Sequence, residues 1–267
     1  LTITNTNVSL ADVNSNLNRV SSSQATFTAH VAQLRSTFAG TPVSASETRG
    51  RVKDSGYVCL IKCDGANNST SVSDITNTFA LTSIGTATIS TAQSKFGSAS
   101  LYTNTTATSF ALTNNPSNTN LTSYSGDWTI EMFVYYQNGG SSVMRFISGF
   151  AGSYDSSIRF YATGLHAYYF EPPSNTFRSI TYNLASLPTN TWIHCAFVKS
   201  GTNLYLYYNG SQVGTTTCAS VAMPMSGFYV GNSGSEFFTG YLDEIRFSNY
   251  ARYTASTYTV PTASYDA

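Results

Sequence analysis

The side chains able to do acid–base, nucleophilic or metal chemistry are few and far apart in this chain. It has thirteen acidic residues and three histidines among 267 positions. Cleaving a glycosidic bond needs an acid and a nucleophile or base about 5–10 Å apart. Glu131 stands alone in its strand, with no carboxylate partner at a useful spacing. Asp243 and Glu244 are adjacent, and neighbours on an extended strand point to opposite faces. His30, His166 and His194 lie in three unrelated contexts. No Ser-His-Asp arrangement and no metal-ligand spacing connects them. His194 reads as a hydrogen-bonded strand residue. The expectation is a protein that is not an enzyme.

The four cysteines, Cys59, Cys63, Cys195 and Cys218, include no CxxC pair. On a strand, Cys59 and Cys63 would share a face about 13 Å apart, too far to bond each other or share a metal. A chain of this length can build its own core, so a disulfide framework is not implied. Buried free thiols are the simpler expectation, and the pairing stays open.

These residues must be positioned by a weakly charged, hydroxyl-rich scaffold. Charged residues make up 10% of the chain and the formal net charge is zero, which excludes a basic surface of the kind that releases counterions from nucleic acid. The 39 Ser and 37 Thr exceed a quarter of the chain, yet 41% hydrophobic and 14% aromatic residues are spread along it. That content argues for a packed fold and against disorder. No window of 18 apolar residues is present, so no transmembrane span is expected. The opening LTITNTNVSL has neither a basic region nor an apolar run and does not read as a signal peptide. A first residue of Leu points to processing or to a longer parent chain.

Residues 1–39 have a helical rhythm. Leu10, Val13, Leu17, Val20, Gln24, Phe27, Val31, Leu34 and Phe38 recur at alternating spacings of three and four. That is a heptad seam with one polar layer, a device that fixes register and strand number. The residues between are Ser-, Thr- and Asn-rich, poor helix formers, so a lone helix would not hold in water. A homo-oligomeric coiled coil is expected, with a trimer favoured. A helix docked on its own domain or on a neighbouring subunit, and chance periodicity in an extended segment, stay open. Mixed Leu and Val along the seam do not separate trimer from dimer. Ala39, Gly40 and Pro42 stop the pattern. Residues 40–55 read as a linker, whose cluster Arg49, Arg51 and Lys53 is solvated or meets an acidic partner.

From residue 56 onward the chain reads as strands and turns. Expected strands include 57–65, 95–102, 109–113, 127–136, 142–150, 157–163, 191–200, 203–210, 228–233 and 240–249. Asn209-Gly210 is a hairpin signal. With no amphipathic helix after residue 40, the fold class is mainly β, an antiparallel two-sheet jelly-roll sandwich over 56–267 behind the helical segment.

The stretch from Leu60 to about residue 265 resembles the laminin-G-like, concanavalin A-like jelly-roll domains. The matching phrases run in order: Asp64-Gly65 closing a first strand, ISTAQSKFGSASLY at 89–102, Trp128 to Val134, Trp192 to Val198, Leu206 to Gly210 and Gly240 to Arg246. The trailing ARYTASTYTVPTASY looks most like versions in bacteriophage virion proteins. Cys63 departs from the pattern, which usually has an aromatic residue there. Glycosidases of this architecture carry an E-x-D-x-x-E strand, which this sequence lacks. The resemblance implies a structural virion component, a fibre, spike or capsid-decoration subunit on the virion surface or otherwise extracellular. Its expected partners are other copies of itself, other virion proteins and host-surface polysaccharide. A glycan-binding adhesin or a bacterial extracellular filament subunit is the alternative.

Sugars are read by aromatic faces with Asn, Asp and backbone groups fixing hydroxyls. The candidate loop residues are Asn138, Tyr154, Asp155, Tyr168 and Asn175, with each tyrosine equally explained by sheet packing. No cofactor is expected apart from calcium, which this superfamily holds with loop oxygens. Asp64 and Asp243 are the candidate ligands. The Asp243-Glu244 pair is equally explained as a turn fixed by side-chain-to-backbone hydrogen bonds.

Overall fold

The computed structural model describes residues 57–76, 79–104, 109–114, 126–140, 143–149, 156–161, 164–171, 176–219, 227–233 and 236–265. The heptad seam from Leu10 to Phe38 and the linker 40–55 lie outside the described residues.

Sixteen strands and no helix occur among the described residues, and none of those residues form a helix long and apolar enough to cross a membrane. In chain order the first eight are β1 (Tyr57–Ile61), β2 (Phe79–Ile84), β3 (Thr88–Ser90), β4 (Ser100–Thr103), β5 (Ser109–Asn114), β6 (Trp128–Gly140), β7 (Val143–Gly149) and β8 (Ser157–Tyr161). The rest are β9 (Gly164–Glu171), β10 (Thr176–Asn183), β11 (Trp192–Ser200), β12 (Asn203–Tyr208), β13 (Ser211–Thr217), β14 (Gly227–Val230), β15 (Asn232–Ser233) and β16 (Glu236–Ser248). One sheet has the order β13-β12-β11-β6-β16-β4-β3, with β1 and β15 also on β16; the other runs β10-β9-β8-β7-β14-β5-β2. The strand pairs are antiparallel. Consecutive strands pair directly in β3–β4, β7 to β10 and β11 to β13, whereas β6–β16, β1–β16 and β14–β5 join strands distant along the chain, the mixture of local and long-range pairing found in a jelly roll.

Alternation explains which residues meet in the middle. In β6, Trp128, Ile130, Met132, Val134 and Tyr136 enter the core between the sheets. In β11, Ile193, Cys195 and Phe197 do so, opposite Val134, Met132 and Ile130. The second sheet answers with Phe146, Ile158, Phe160, Leu165, Ala167 and Tyr169. Trp128 lies 5.1 Å from the Phe197 ring and 6.0 Å from Tyr169, joining the two layers. Cys63, at the position where an aromatic residue was expected, is itself a buried core residue.

Five strands go beyond the expected set: β2, β3, β9, β10 and β13. The Asn209-Gly210 turn has the form expected. Both residues have positive φ, 46° and 80°, the type I′ requirement of a two-residue hairpin. A side chain at Gly210 would also strike the backbone carbonyl of Tyr258 in the tail that crosses this turn.

All four cysteines are free and buried, and burial pushes every thiol above its ordinary pKa. Thiolate is the reactive species. Native protein should therefore leave a thiol reagent essentially unreacted, and denatured protein should titrate all four groups. Rapid native labelling would show that the sandwich opens.

Candidate functional site

The outer face of the first sheet carries a buried ion network. Glu131 projects from β6 away from the core, directly opposite Ala196 on β11 and Arg246 on β16. It is fully buried. Its Oε1 accepts hydrogen bonds from Arg246 Nε at 2.9 Å, with Arg246 Nη2 at 2.8 Å and Arg252 Nε at 3.4 Å. Its Oε2 accepts from the hydroxyls of Tyr253 at 2.7 Å and Tyr265 at 3.2 Å, with His194 Nε2 at 3.4 Å. The His194 ring is held between Tyr258 at Nδ1, 2.6 Å, and Tyr265 at Nε2, 2.7 Å. The Arg246 guanidinium stacks 3.7 Å from the Tyr265 ring.

Three of these tyrosines come from the tail 249–265, which straps across the sheet. Tyr207 OH donates to Ala255 O at 2.9 Å, and the N–H groups of Gln212 and Tyr258 bond Ser256 O and Gly210 O. Burial alone would raise the Glu131 carboxyl. The His194 hydrogen bond, the Arg246 charge and Tyr253 outweigh it and hold the group down at about 2. Burial, then the Glu131 charge, pushes the hydroxyls of Tyr253 and Tyr265 up, so both stay donors. A carboxylate with both oxygens engaged and no exposed surface reaches no substrate. Its chemistry is spent on holding three strands and the strap together.

The two candidate metal ligands are also engaged. Asp64 Oδ1 accepts the Ser98 N–H at 2.7 Å. Gly97, at φ +63°, is needed there, because a side chain would collide with that carboxylate. Asp243 Oδ2 accepts the N–H groups of Lys95 at 2.7 Å and Phe96 at 3.2 Å. Burial lifts the Asp243 carboxyl to about 8 while these donors pull the other way. Both aspartates thus grip the 95–98 loop through backbone donors. Among the described residues no group of three or more His, Cys, Asp or Glu is placed to hold a metal ion.

Regular alternation would send Asp243 and Glu244 to opposite faces, and the structure differs. A bulge interrupts the β16–β6 register between Asp243 and Arg246, with Glu244 at φ +49°. Glu244 accepts the Tyr265 N–H at 2.7 Å and the Ser264 hydroxyl at 2.5 Å. Phe96, beside Asp243, and Tyr265, beside Glu244, both pack on Phe133. The two carboxylates therefore serve one face, as the extra residue of a bulge re-aims a side chain.

The outer face of the second sheet is built differently. Strand pairing lays out one row as Tyr229, Ser148, Ser157, Tyr168 and Ser179, and the next as Arg145, Arg159, His166 and Thr181. The Arg159 guanidinium lies 4.0 Å over the Tyr168 ring and 5.8 Å from Tyr161. His166 is edge-on to Tyr161 at 5.2 Å, and its Nδ1 is 3.1 Å from the Thr181 hydroxyl. Burial, then the Arg159 charge, lowers the His166 pKa, which favours a neutral ring. Arg145 and Arg159 both pair with Glu236. Phe170 and Phe177 pack at 5.0 Å at the far end of β9. Tyr161 and Phe177 are 45% and 56% exposed, a large apolar surface for strand residues facing water.

Of the expected glycan-contacting residues, Tyr168 is on this face. It belongs to strand β9 and not to a loop, and it forms the floor under Arg159. Asn138 lies within strand β6, also not in a loop. Tyr154, Asp155 and Asn175 lie outside the described residues. Arg159 and Tyr161 were not singled out, although SIRFYAT was expected as a strand. Its alternation, Ile158 and Phe160 inward with Arg159 and Tyr161 outward, was the signal.

The ion network generates a pH prediction. Because the folded pKa of Glu131 is depressed, its stabilisation is complete above about 4.5 and is lost as pH falls towards about 2. A shift of that size corresponds to about 3 kcal/mol. Glu131→Ala leaves Arg246 buried without its partner and should cost about 3–5 kcal/mol. Denaturant titration at neutral pH measures that cost. The same titration repeated down to pH 2 should show a shallower acid decline in the variant than in the parent.

The chain matches a laminin-G family model of the concanavalin A-like lectin/glucanases superfamily over residues 104–256, more than half its length. None of the curated proteins compared matches it. Among solved structures it is similar to the receptor binding domain of botulinum neurotoxin D, with 9% identity over 73% of this chain and 50% of that one and a TM-score of 0.59. The binding domain of Paraclostridial Mosquitocidal Protein 1 aligns at 15% identity over 73% and 49%, TM-score 0.56. The botulinum neurotoxin serotype G binding domain aligns at 10% over 73% and 48%, TM-score 0.57. This chain spans about half the length of these structures, and at such identities the likeness is one of fold. The two-sheet sandwich, its core phrases and the family match agree: the chain belongs to the laminin-G-like family of the concanavalin A-like lectin/glucanases superfamily.

Proposed function

We propose that this protein is a non-enzymatic attachment protein whose jelly roll binds saccharide on the outer face of the second sheet. One observation carries the reading. The first sheet's outer face is sealed by the strap, whereas the second displays exposed Tyr161 and Phe177 around a stacked arginine. Aromatic faces take the apolar side of a sugar ring, and hydroxyls and guanidinium take its polar edge. The described neighbours in structure space include receptor-binding domains, and one was solved in complex with N-acetylneuraminic acid. Those names describe the toxins; they support a recognition role here and not a particular ligand.

In this reading the heptad segment gathers copies of the chain, with a trimer expected, and presents several sandwiches at once. Weak single sites then add through multivalency. The setting we propose is the surface of a bacteriophage particle, as a fibre, spike or capsid-decoration subunit alongside other virion proteins. The closing phrase ARYTASTYTVPTASY supports it, through its resemblance to phage versions of the domain.

The full chain should bind a subset of a glycan array and scatter light as a multimer. Tyr161→Ala and Phe177→Ala should each weaken binding about tenfold, the loss of one stacked ring, with little change in melting temperature. Absence of any binding, or release of new reducing ends from a bound polysaccharide, would overturn the proposal.

A further inference from the structure

We infer that this face reads a neutral, linear glycan along its length: an internal stretch of several sugars lies parallel to β10, and no single terminal sugar is singled out. The inference rests on the reading above that this face binds saccharide, and it specifies the chemical class.

The exposed groups form a line. Alternation along β10 turns Phe177, Ser179, Thr181 and Asn183 to the same side, and all four are exposed. Ile180, between them, faces the core. Successive members of the line stand about 7 Å apart along the strand. Asn183 pairs with Gly164 on β9, and Gly164 pairs with Tyr161 on β8. The His166 ring folds over Gly164, its Nε2 2.9 Å from where a Cβ would stand, so the floor continues from the end of the line to Tyr161.

Both ends of the line carry an exposed ring. Phe177 pairs with Phe170, six residues along β9 from Gly164. The rings of Phe177 and Tyr161 therefore stand about 20 Å apart along that strand. Each is pre-oriented by a buried ring: Phe170 lies 5.0 Å from Phe177, and His166 lies 5.2 Å edge-on to Tyr161. One sugar covers one of these aromatics, and contact with both takes several linked sugars. Between the ends, the hydroxyls of Ser179 and Thr181 and the amide of Asn183 both donate and accept. A sugar hydroxyl does the same, so each can partner the other in either sense.

The charged side chains of this face sit lower. Those of Arg145 and Arg159 are 13% exposed and that of Glu236 is 26% exposed, and both arginines pair with Glu236. Arg178, the charged residue of β10, lies opposite the core residue Tyr169 and pairs with Glu171. Among the described residues, the exposed outward positions of β8, β9 and β10 are thus uncharged. A polymer with a charge on every sugar would meet no exposed counter-charge along this line, whereas a neutral chain meets rings and hydroxyls throughout.

The test titrates the full chain by calorimetry with cello-, malto- and chito-oligosaccharides, each from one sugar to eight, and with an oligogalacturonate series. In at least one neutral series, affinity should climb with length and level off once the chain covers the roughly 20 Å line. The single sugar should bind at least about tenfold more weakly than the longest member. Blocking both ends of the longest oligomer should leave its affinity unchanged. Tyr161→Ala and Phe177→Ala should each cost that oligomer about tenfold, but cost the disaccharide, which reaches one ring at a time, about twofold or less. Phe177→Tyr, which keeps a ring, should retain both affinities, a rescue that a merely structural role for the contact would not require. Equal affinity for one sugar and for eight, loss of binding when the ends are blocked, or a length dependence untouched by both alanine variants overturns the extended mode. An oligogalacturonate binding more tightly than every neutral chain overturns the neutral assignment and leaves the binding face standing. Failure of all four series overturns the binding face itself.

Discussion

One buried carboxylate organises the first sheet. Glu131 connects β6 to Arg246 on β16, to His194 on β11 and to Tyr253 and Tyr265 of the strap. Taking a charge out of water costs several kcal/mol unless partners surround it. Here they surround both oxygens, so the sheet cannot shed its cover without stranding that charge. The aromatic lid of Tyr207, Tyr253 and Tyr258, with Tyr253 and Tyr258 stacked 3.6 Å apart, then excludes water from the network beneath.

Sealing one side bears on the use proposed for the other. A sandwich has two outer faces, and in this one Glu131 and His194 lie on the covered face. The other face carries rings, hydroxyls, guanidiniums, His166 and Glu236, with Tyr161 and Phe177 exposed. The division needs no special loop. It follows from which strands pair, because each row of the second sheet is assembled from single outward positions on neighbouring strands. Rigid strands also position such a surface more closely than loops do.

The fold was legible wherever alternation was clean. DWTIEMFVYY and TWIHCAFVKS show one inward set each, and both became central strands, β6 and β11. GLHAYYFE did not declare itself, because in β9 nearly every position is buried on one side or the other. Its outward residues are covered by Arg159 and by each other, so no polar alternation survives. With β9 missed, Tyr168 looked like a loop tyrosine. The partners of Glu131 were hidden for another reason. Tyr253, Tyr265 and Arg246 lie 122, 134 and 115 positions away, and no local spacing encodes such contacts. The phrases around His194 and Arg246 were visible only as signatures of the fold. The bulge at Glu244 was equally hidden, since nothing but tertiary packing marks a glutamate for a left-handed backbone.

The strap has a consequence for how the molecule is made. Glu131 leaves the ribosome more than a hundred residues ahead of the tyrosines that neutralise and cap it. Until they emerge, the nascent first sheet must keep that flank hydrated, since drying it early would bury a bare charge. The cover over the outer face of the first sheet therefore forms last, from the C-terminal side, and a chain lacking Tyr265 leaves Glu131 without one of its hydroxyl donors.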